Sequence, residues 1–262
     1  MMNLKAKTVS FLLTLCLALA LVPAAFAAEE QTAIVLSEIG ITVDGAAISQ
    51  DTTAAVYVSG RTETHEDVSE ELKNVENTVI TITKAGDYRI SGAMTDAQIA
   101  VRAGENDAVT LILDGLDITC RTAPAIMVYS AAEPAVVGEA KVSILLAEGS
   151  ENKVTGSHTR ATEEDSVKHD AAISSNVSLL IDGDGALHVV GDNEGIEVKQ
   201  KHLTINGGTI SVESQDDPLN GSEDGVAHIT INGGYVYCRA VGPEGDGIDS
   251  NGYITISGGT VI

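Results

Sequence analysis

Four isoleucines, Ile181, Ile205, Ile231 and Ile256, follow one another at intervals of 24, 26 and 25 residues, each within the same local pattern of a short apolar strand, one polar residue and a glycine. The copies are Leu179–Gly183, Leu203–Gly207, Ile229–Gly233 and Ile254–Gly258. Val109–Gly115 is an earlier copy, and Val79–Ile82 and Val142–Leu145 repeat the strand with longer loops between. A period this regular limits the architecture sharply, because each unit can bury its apolar face only against the next one.

Each unit carries two further strands. After the glycine come alternating runs such as Leu187–Val189, Thr209–Val212 and Tyr235–Cys238; before the next copy come Ala172–Ser174, Gly195–Val198 and Gly247–Ser250. Three short strands in roughly 25 residues leave no room for the crossover helix of a βαβ unit. They make an all-β chain in which each repeat is one coil of a parallel β-helix, a solenoid whose coils stack about 4.8 Å apart. Ile, Leu and Val then fill the interior while Thr, Ser, His and charged residues point outward. A propeller blade needs about 40 residues, and a leucine-rich repeat needs a Leu-x-x-Leu-x-Leu frame that is missing. Composition agrees. There is no Trp, and Phe11 and Phe26, the only phenylalanines, precede residue 28, so the core is built from Val, Ile, Leu and Ala.

The ends read differently. Residues 1–27 have Lys5 and Lys7, an apolar stretch from Phe11 to Leu21 and an Ala25-Phe26-Ala27 cleavage site, which is the make-up of a signal peptide too short to span a bilayer. The expectation is a protein exported to the cell surface or the medium, with no transmembrane segment in the mature chain. Residues 28–77 lack the period and are expected to cap the open end of the solenoid. Residues 78–262 form the repeat region, which stops in mid-coil, so the β-helix is expected to be incomplete at its C-terminus.

Without Lys5 and Lys7 the 15 Lys+Arg become 13, against 38 Asp+Glu, a net charge near −25. Such a surface repels nucleic acid and anionic lipid and attracts divalent cations. A series of acids lies before and along the Gly-Ile strand: Asp170, Asp192, Glu194, Asp217, Asp246 and Asp249, accompanied by Asp216, Glu244 and Glu197. Coil stacking would line these carboxylates up, and two unit charges about 5 Å apart repel by roughly 0.8 kcal/mol even in water. Ca²⁺, which takes six to eight oxygens, would relieve that repulsion; a solvated acidic edge is the plainer reading. The polar series Asp182, Asn206, Asn232 and Ser257, each before a glycine, reads as turn formers stacked in a ladder. No C-x-x-C or H-x-x-x-H spacing supports zinc. Nor is there a G-x-S-x-G or P-loop fingerprint. Cys120 and Cys238 fall four coils apart, about 19 Å, beyond disulfide reach.

The run Thr78–Gly92, with Val109–Ile118, Ala123–Val128 and Ile144–Asn152, resembles a bacterial family of secreted carbohydrate-binding domains related in fold to polysaccharide lyase family 9. The resemblance covers about residues 30–262. It implies a right-handed parallel β-helix, bound calcium, and binding of cellulose and of acidic sugars such as polygalacturonate, without clear lyase activity. The chain departs from the family pattern at Asp217-Pro218-Leu219-Asn220-Gly221, where Asp-Gly-Ile is usual, and at Glu194, where Asp is usual. The implied partner is a polysaccharide. A calcium-dependent pectate-type lyase would instead need a Lys or Arg base, and Lys168, Lys199 and Lys201 lie near the acids. A structural stalk or adhesin would bind no sugar. Tyr88, Tyr129, Tyr235, Tyr237 and Tyr253 are the aromatic candidates for contact with a glucan.

Overall fold

The computed structural model describes residues 31–63, 68–136, 139–159, 168–199 and 201–262. Strands from successive repeats lie side by side and parallel, in three columns. The first column holds Val142–Leu146, Leu179–Gly183, His202–Ile205, His228–Ile231 and Tyr253–Ile256. The second holds Glu151–Gly156, Ala186–Gly191, Thr209–Ser214, Tyr235–Ala240 and Thr260–Val261. The third holds Glu76–Ile82, Ala97–Arg102, Ile126–Ser130, Ala171–Ser175, Glu194–Val198, Leu219–Gly221 and Ile248–Ser250. The described residues contain no helix. The result is an all-β, strongly curled parallel sheet, β-helix-like in its connectivity.

The repeat register appears as predicted. Ile144, Ile181, Ile205, Ile231 and Ile256 are consecutive partners across the first column. Ile181, Ile205 and Ile231 are fully buried; Ile256, on the last described strand of the column, is 54% exposed. In the third column Ile99, Ile126, Ile173, Ile196 and Leu219 stack in the same way, all at 0% exposure. Burial of each fully enclosed aliphatic side chain contributes about 1.5–3 kcal/mol.

In the earlier coils the first two columns are one continuous strand. Val109–Thr119 pairs through its first half with Val142–Leu146 and through its second with Glu151–Gly156. Gly115, at φ 79°, lets it bend between the two. Asn152 sits inside that bend and accepts from the amides of Gly115 and Leu116, both at 3.0 Å. Its own Nδ2 donates to Ser150 Oγ and the Ala186 carbonyl, so the buried amide is fully used.

Later coils turn the same corner with the polar-glycine step. There Asn232 Nδ2 donates to Asn206 Oδ1 at 2.9 Å, and Ser257 Oγ donates to Asn232 Oδ1 at 2.6 Å. Asp182 Oδ1 accepts from the next amide, Gly183, at 2.8 Å. This is the stacked turn ladder the sequence suggested. Gly234 shows why glycine recurs here: its φ is 79°, and a Cβ would lie 2.7 Å from the Gly208 carbonyl oxygen of the coil beside it.

The N-terminal end is covered. Val56–Thr62 runs antiparallel to Glu76–Ile82, closing that edge of the third column. Thr32–Ser37 pairs parallel with Gly86–Thr95 and antiparallel with Gly40–Val43. The polar stretch between Glu63 and Glu76 has turns in its described part. The signal-peptide expectation falls on residues 1–27, outside the described residues. Among the described residues no helix is long and apolar enough to cross a membrane. Cys120 is buried and Cys238 half-buried, both as free thiols. Cys238 continues the column of Val212, Val189, Val154 and Ile118, which places it four coils from Cys120.

Candidate metal-binding site

The third column carries the acids. Along its face opposite the isoleucine stack, Met127, Ser174, Glu197, Asn220 and Asp249 are in register on successive strands. Just before these strands, the coil corner supplies Asp170, Glu194 and Asp217: the Glu194 amide donates to the Asp170 carbonyl, and the Gly195 amide to the Asp217 carbonyl. Stacking therefore brings together residues 23 to 27 apart in sequence.

Asp170, Glu194 and Glu197 each present a carboxylate oxygen, all within 4.8 Å of one another, and all three residues are buried. Glu197 is fully enclosed; its Oε2 accepts from the Asp170 amide and from Ser174 Oγ, each at 3.2 Å, and Oε1 accepts from Ser222 Oγ at 3.3 Å. Lys199 forms ion pairs with Glu197 and, at 3.3 Å, with Asp170 Oδ2, while Lys168 Nζ lies 2.6 Å from Asp170 Oδ1. Asn220 Nδ2 donates to Glu194 Oε1 at 2.9 Å and, more weakly, to Asp217 Oδ2 at 3.4 Å.

Among the described residues two lysines face three buried carboxylates, which leaves one negative charge without compensation there. That imbalance favours the protonated form of Glu194. Burial first, then the charges of Glu197, Asp170 and Asp217 against the opposing Lys199, pushes its carboxyl up to about 9. Lys199 is held the other way: burial favours its neutral form, but Glu197, Asp170 and Glu194 together outweigh burial and keep it protonated. Asp217 is also raised, by burial and by Asp216, Asp249 and Asp246, against the Asp246 amide that donates to its Oδ1 at 2.8 Å.

Glu194 Oε2 and Asn220 Oδ1 are buried and accept no hydrogen bond among the described residues. Such orphaned acceptors cost about 1–3 kcal/mol each unless something supplies positive charge. An oxygen-only set of three carboxylates and an amide carbonyl fits a hard cation such as Ca²⁺ and is a poor match for zinc or copper.

The expected acids thus divide. Asp170 and Glu194 are in the cluster; Asp217 touches it through Asn220, and Asp246 touches Asp217. Asp249 is in register with Glu197 but two coils away, with Asn220 between them, so the line of carboxylates is interrupted. Asp192 goes elsewhere: at a different corner it accepts from Ser157 Oγ and lies 3.2 Å from His158 Nδ1, with its side chain 46% exposed. The backbone bends at Asp192 and Asn193, which sends neighbouring acids to different sites. Glu197 is the cluster member that spacing underrated. Its signal was an acid between Ile196 and Val198, inside a strand whose every residue is buried.

Among the tyrosines, Tyr88 is 3% exposed and its hydroxyl donates to the Lys84 carbonyl, so it reaches no glycan. Tyr235, Tyr237 and Tyr253 are exposed.

Comparison with known proteins places this architecture. A family model described as carbohydrate-binding domain-containing protein matches residues 76–262. A curated protein of Acetivibrio thermocellus with the same description is 34% identical over 143 residues, 54% of this chain and 47% of its own length, so the match spans about half of that relative. Among solved structures, the polysaccharide lyase-like protein from C. thermocellum, as a gadolinium derivative, superposes with a TM-score of 0.67 at 29% identity, covering 88% of this chain and 81% of that one. With the family model accounting for every coil from Glu76 onward, the chain belongs to the carbohydrate-binding domain-containing protein family.

Proposed function

We propose that this protein is an exported, non-catalytic polysaccharide-binding module built on a right-handed parallel β-helix, and that it binds acidic sugars of the polygalacturonate kind through Ca²⁺. The observation that carries the reading is the buried cluster Asp170, Glu194 and Glu197 with its orphaned Glu194 Oε2 and Asn220 Oδ1. A cation standing between them lets an anionic protein meet an anionic polymer, and a cation held by carboxylates with coordination to spare accepts a uronate oxygen as a further ligand. Cellulose is a second ligand of this reading, through the exposed faces of Tyr235, Tyr237 and Tyr253. The residues that would hold Ca²⁺ are Asp170, Glu194, Glu197 and Asn220; Asp217, Asp246 and Asp249 form an adjoining acidic stretch.

Lysis is disfavoured by Lys199. A base must be neutral to take a proton, and Lys199 is kept charged by the carboxylates it touches. The test is the binding of polygalacturonate with millimolar Ca²⁺ and again with excess chelator, alongside ultraviolet absorbance for unsaturated products. Binding that chelator abolishes, without absorbance growth, is the expected result. Absorbance growth would make the protein a lyase, and calcium-independent binding would remove the cation bridge. Melting supplies a second readout: a ligand at a hundred times its Kd stabilises the fold by about 2.7 kcal/mol.

A further inference from the structure

The described arginines share one habit, with one exception. Arg61 pairs with Glu63, Arg89 with Asp114, Arg121 with Asp96 and Arg239 with Glu213. Among the described residues Arg102 has no carboxylate partner and no side-chain hydrogen bond; its guanidinium carbon lies 3.5 Å from the centroid of the Tyr129 ring. In a chain with 38 acids and 15 Lys+Arg, an arginine held by an aromatic ring instead of an acid is a positive charge kept available. The ring fixes the plane of the guanidinium by cation–π attraction, and its N–H donors stay open to solvent.

Tyr129 is itself held in place. Arg61 donates to its hydroxyl at 2.7 Å, and the His169 ring meets it edge-on with centroids 5.9 Å apart. His169 Nδ1 lies 3.1 Å from Ser174 Oγ, which donates to Glu197 of the acidic cluster. The platform and the cluster are thus two ends of one connected network. They are also on one face: Tyr129 lies on Ile126–Ser130 and Glu197 on Glu194–Val198, with Ala171–Ser175 between. Two coil rises separate those strands, about 10 Å along the stack.

We propose that Arg102, laid flat on Tyr129, is a second anchoring subsite that takes a sugar carboxylate, while the acidic cluster with its cation takes another carboxylate of the same chain. The glycan then runs parallel to the stacking axis, and its affinity depends on length, because a single sugar does not span two coils. This rests on the acidic-glycan reading of the function. The subsite chemistry is a planar fork of donors meeting a planar carboxylate, which lysine does not reproduce.

The test is calorimetric binding at saturating Ca²⁺ of digalacturonate, hexagalacturonate and methyl-esterified hexagalacturonate to the wild type, R102A and R102K. The wild type is expected to bind the hexamer more tightly than the dimer and to bind the ester poorly. Both variants should weaken the hexamer about 10- to 100-fold, the range of a lost charge-assisted bidentate contact. They should leave the dimer, the melting temperature and the Ca²⁺ affinity at wild-type values. Unchanged hexamer binding in both variants, with Ca²⁺-dependence intact, would overturn the subsite and leave the proposed function standing. Equal losses for dimer and hexamer would also overturn it, since Arg102 would then act on the cluster itself. Failure of the wild type to bind any galacturonate would remove the function and the subsite together.

Discussion

Calcium affinity should rise steeply with pH through neutrality, because the cation must displace the proton that Glu194 holds. With its carboxyl near 9 in the cation-free cluster, Glu194 is ionised in about 0.1% of molecules at pH 6 and about 10% at pH 8. A metal that binds only the ionised form gains affinity in proportion, so Kd should fall about 90-fold between those pH values, with close to one proton released per ion. The same linkage sets the stability of the cation-free protein. A carboxyl whose folded pKa lies above the ordinary value of 4.5 makes the folded state the better proton binder between the two values. Its contribution is therefore complete below about pH 4.5 and is lost as pH rises towards 9. Calorimetry at pH 6, 7 and 8 in two buffers of different ionisation enthalpy measures both Kd and the proton count. E194Q, which cannot ionise, should bind Ca²⁺ more weakly at pH 8 and lose the pH slope. Equal wild-type affinity at pH 6 and pH 8 with no proton released would refute the reasoning.

Lys199 occupies two of the oxygens an ion needs, so K199M should melt lower without Ca²⁺, by about 3 kcal/mol for an unpaired buried charge, and should gain more than the wild type when Ca²⁺ is added. A smaller calcium-induced gain in K199M would show that the lysine assists the ion. Ile205→Asp places an unpaired carboxylate at a fully buried position between Ile181 and Ile231, a cost of several kcal/mol; wild-type-like cooperative melting by circular dichroism would contradict the stacked register. Gly234→Ala puts a Cβ 2.7 Å from the Gly208 carbonyl oxygen at φ 79°, and should destabilise by about 1–3 kcal/mol in urea titration, whereas an unchanged midpoint would mean the corner is free to relax.

The period of 24 to 26 residues was enough to determine the stacking, since a solenoid coil must return its chain to the same place each time, and Ile181, Ile205, Ile231 and Ile256 mark that return. The polar-glycine corner was legible for the same reason: the left-handed step and the crowded carbonyl leave few residues that fit, and they recur in the sequence. Which acids meet was a different matter. Asp192 and Glu194 are two residues apart, yet a bend sends the first to His158 and the second into the cluster. Glu197 and Asp249 share a column, yet Asn220 separates them. Lys199 and Lys168 lie among the acids in sequence, but only the folded chain shows that they neutralise two of three buried charges and leave the third for a proton or an ion. Periodicity determines which residues share a column. Charge balance within a cluster depends on side-chain directions at the corners, and those are decided only when neighbouring coils close over them.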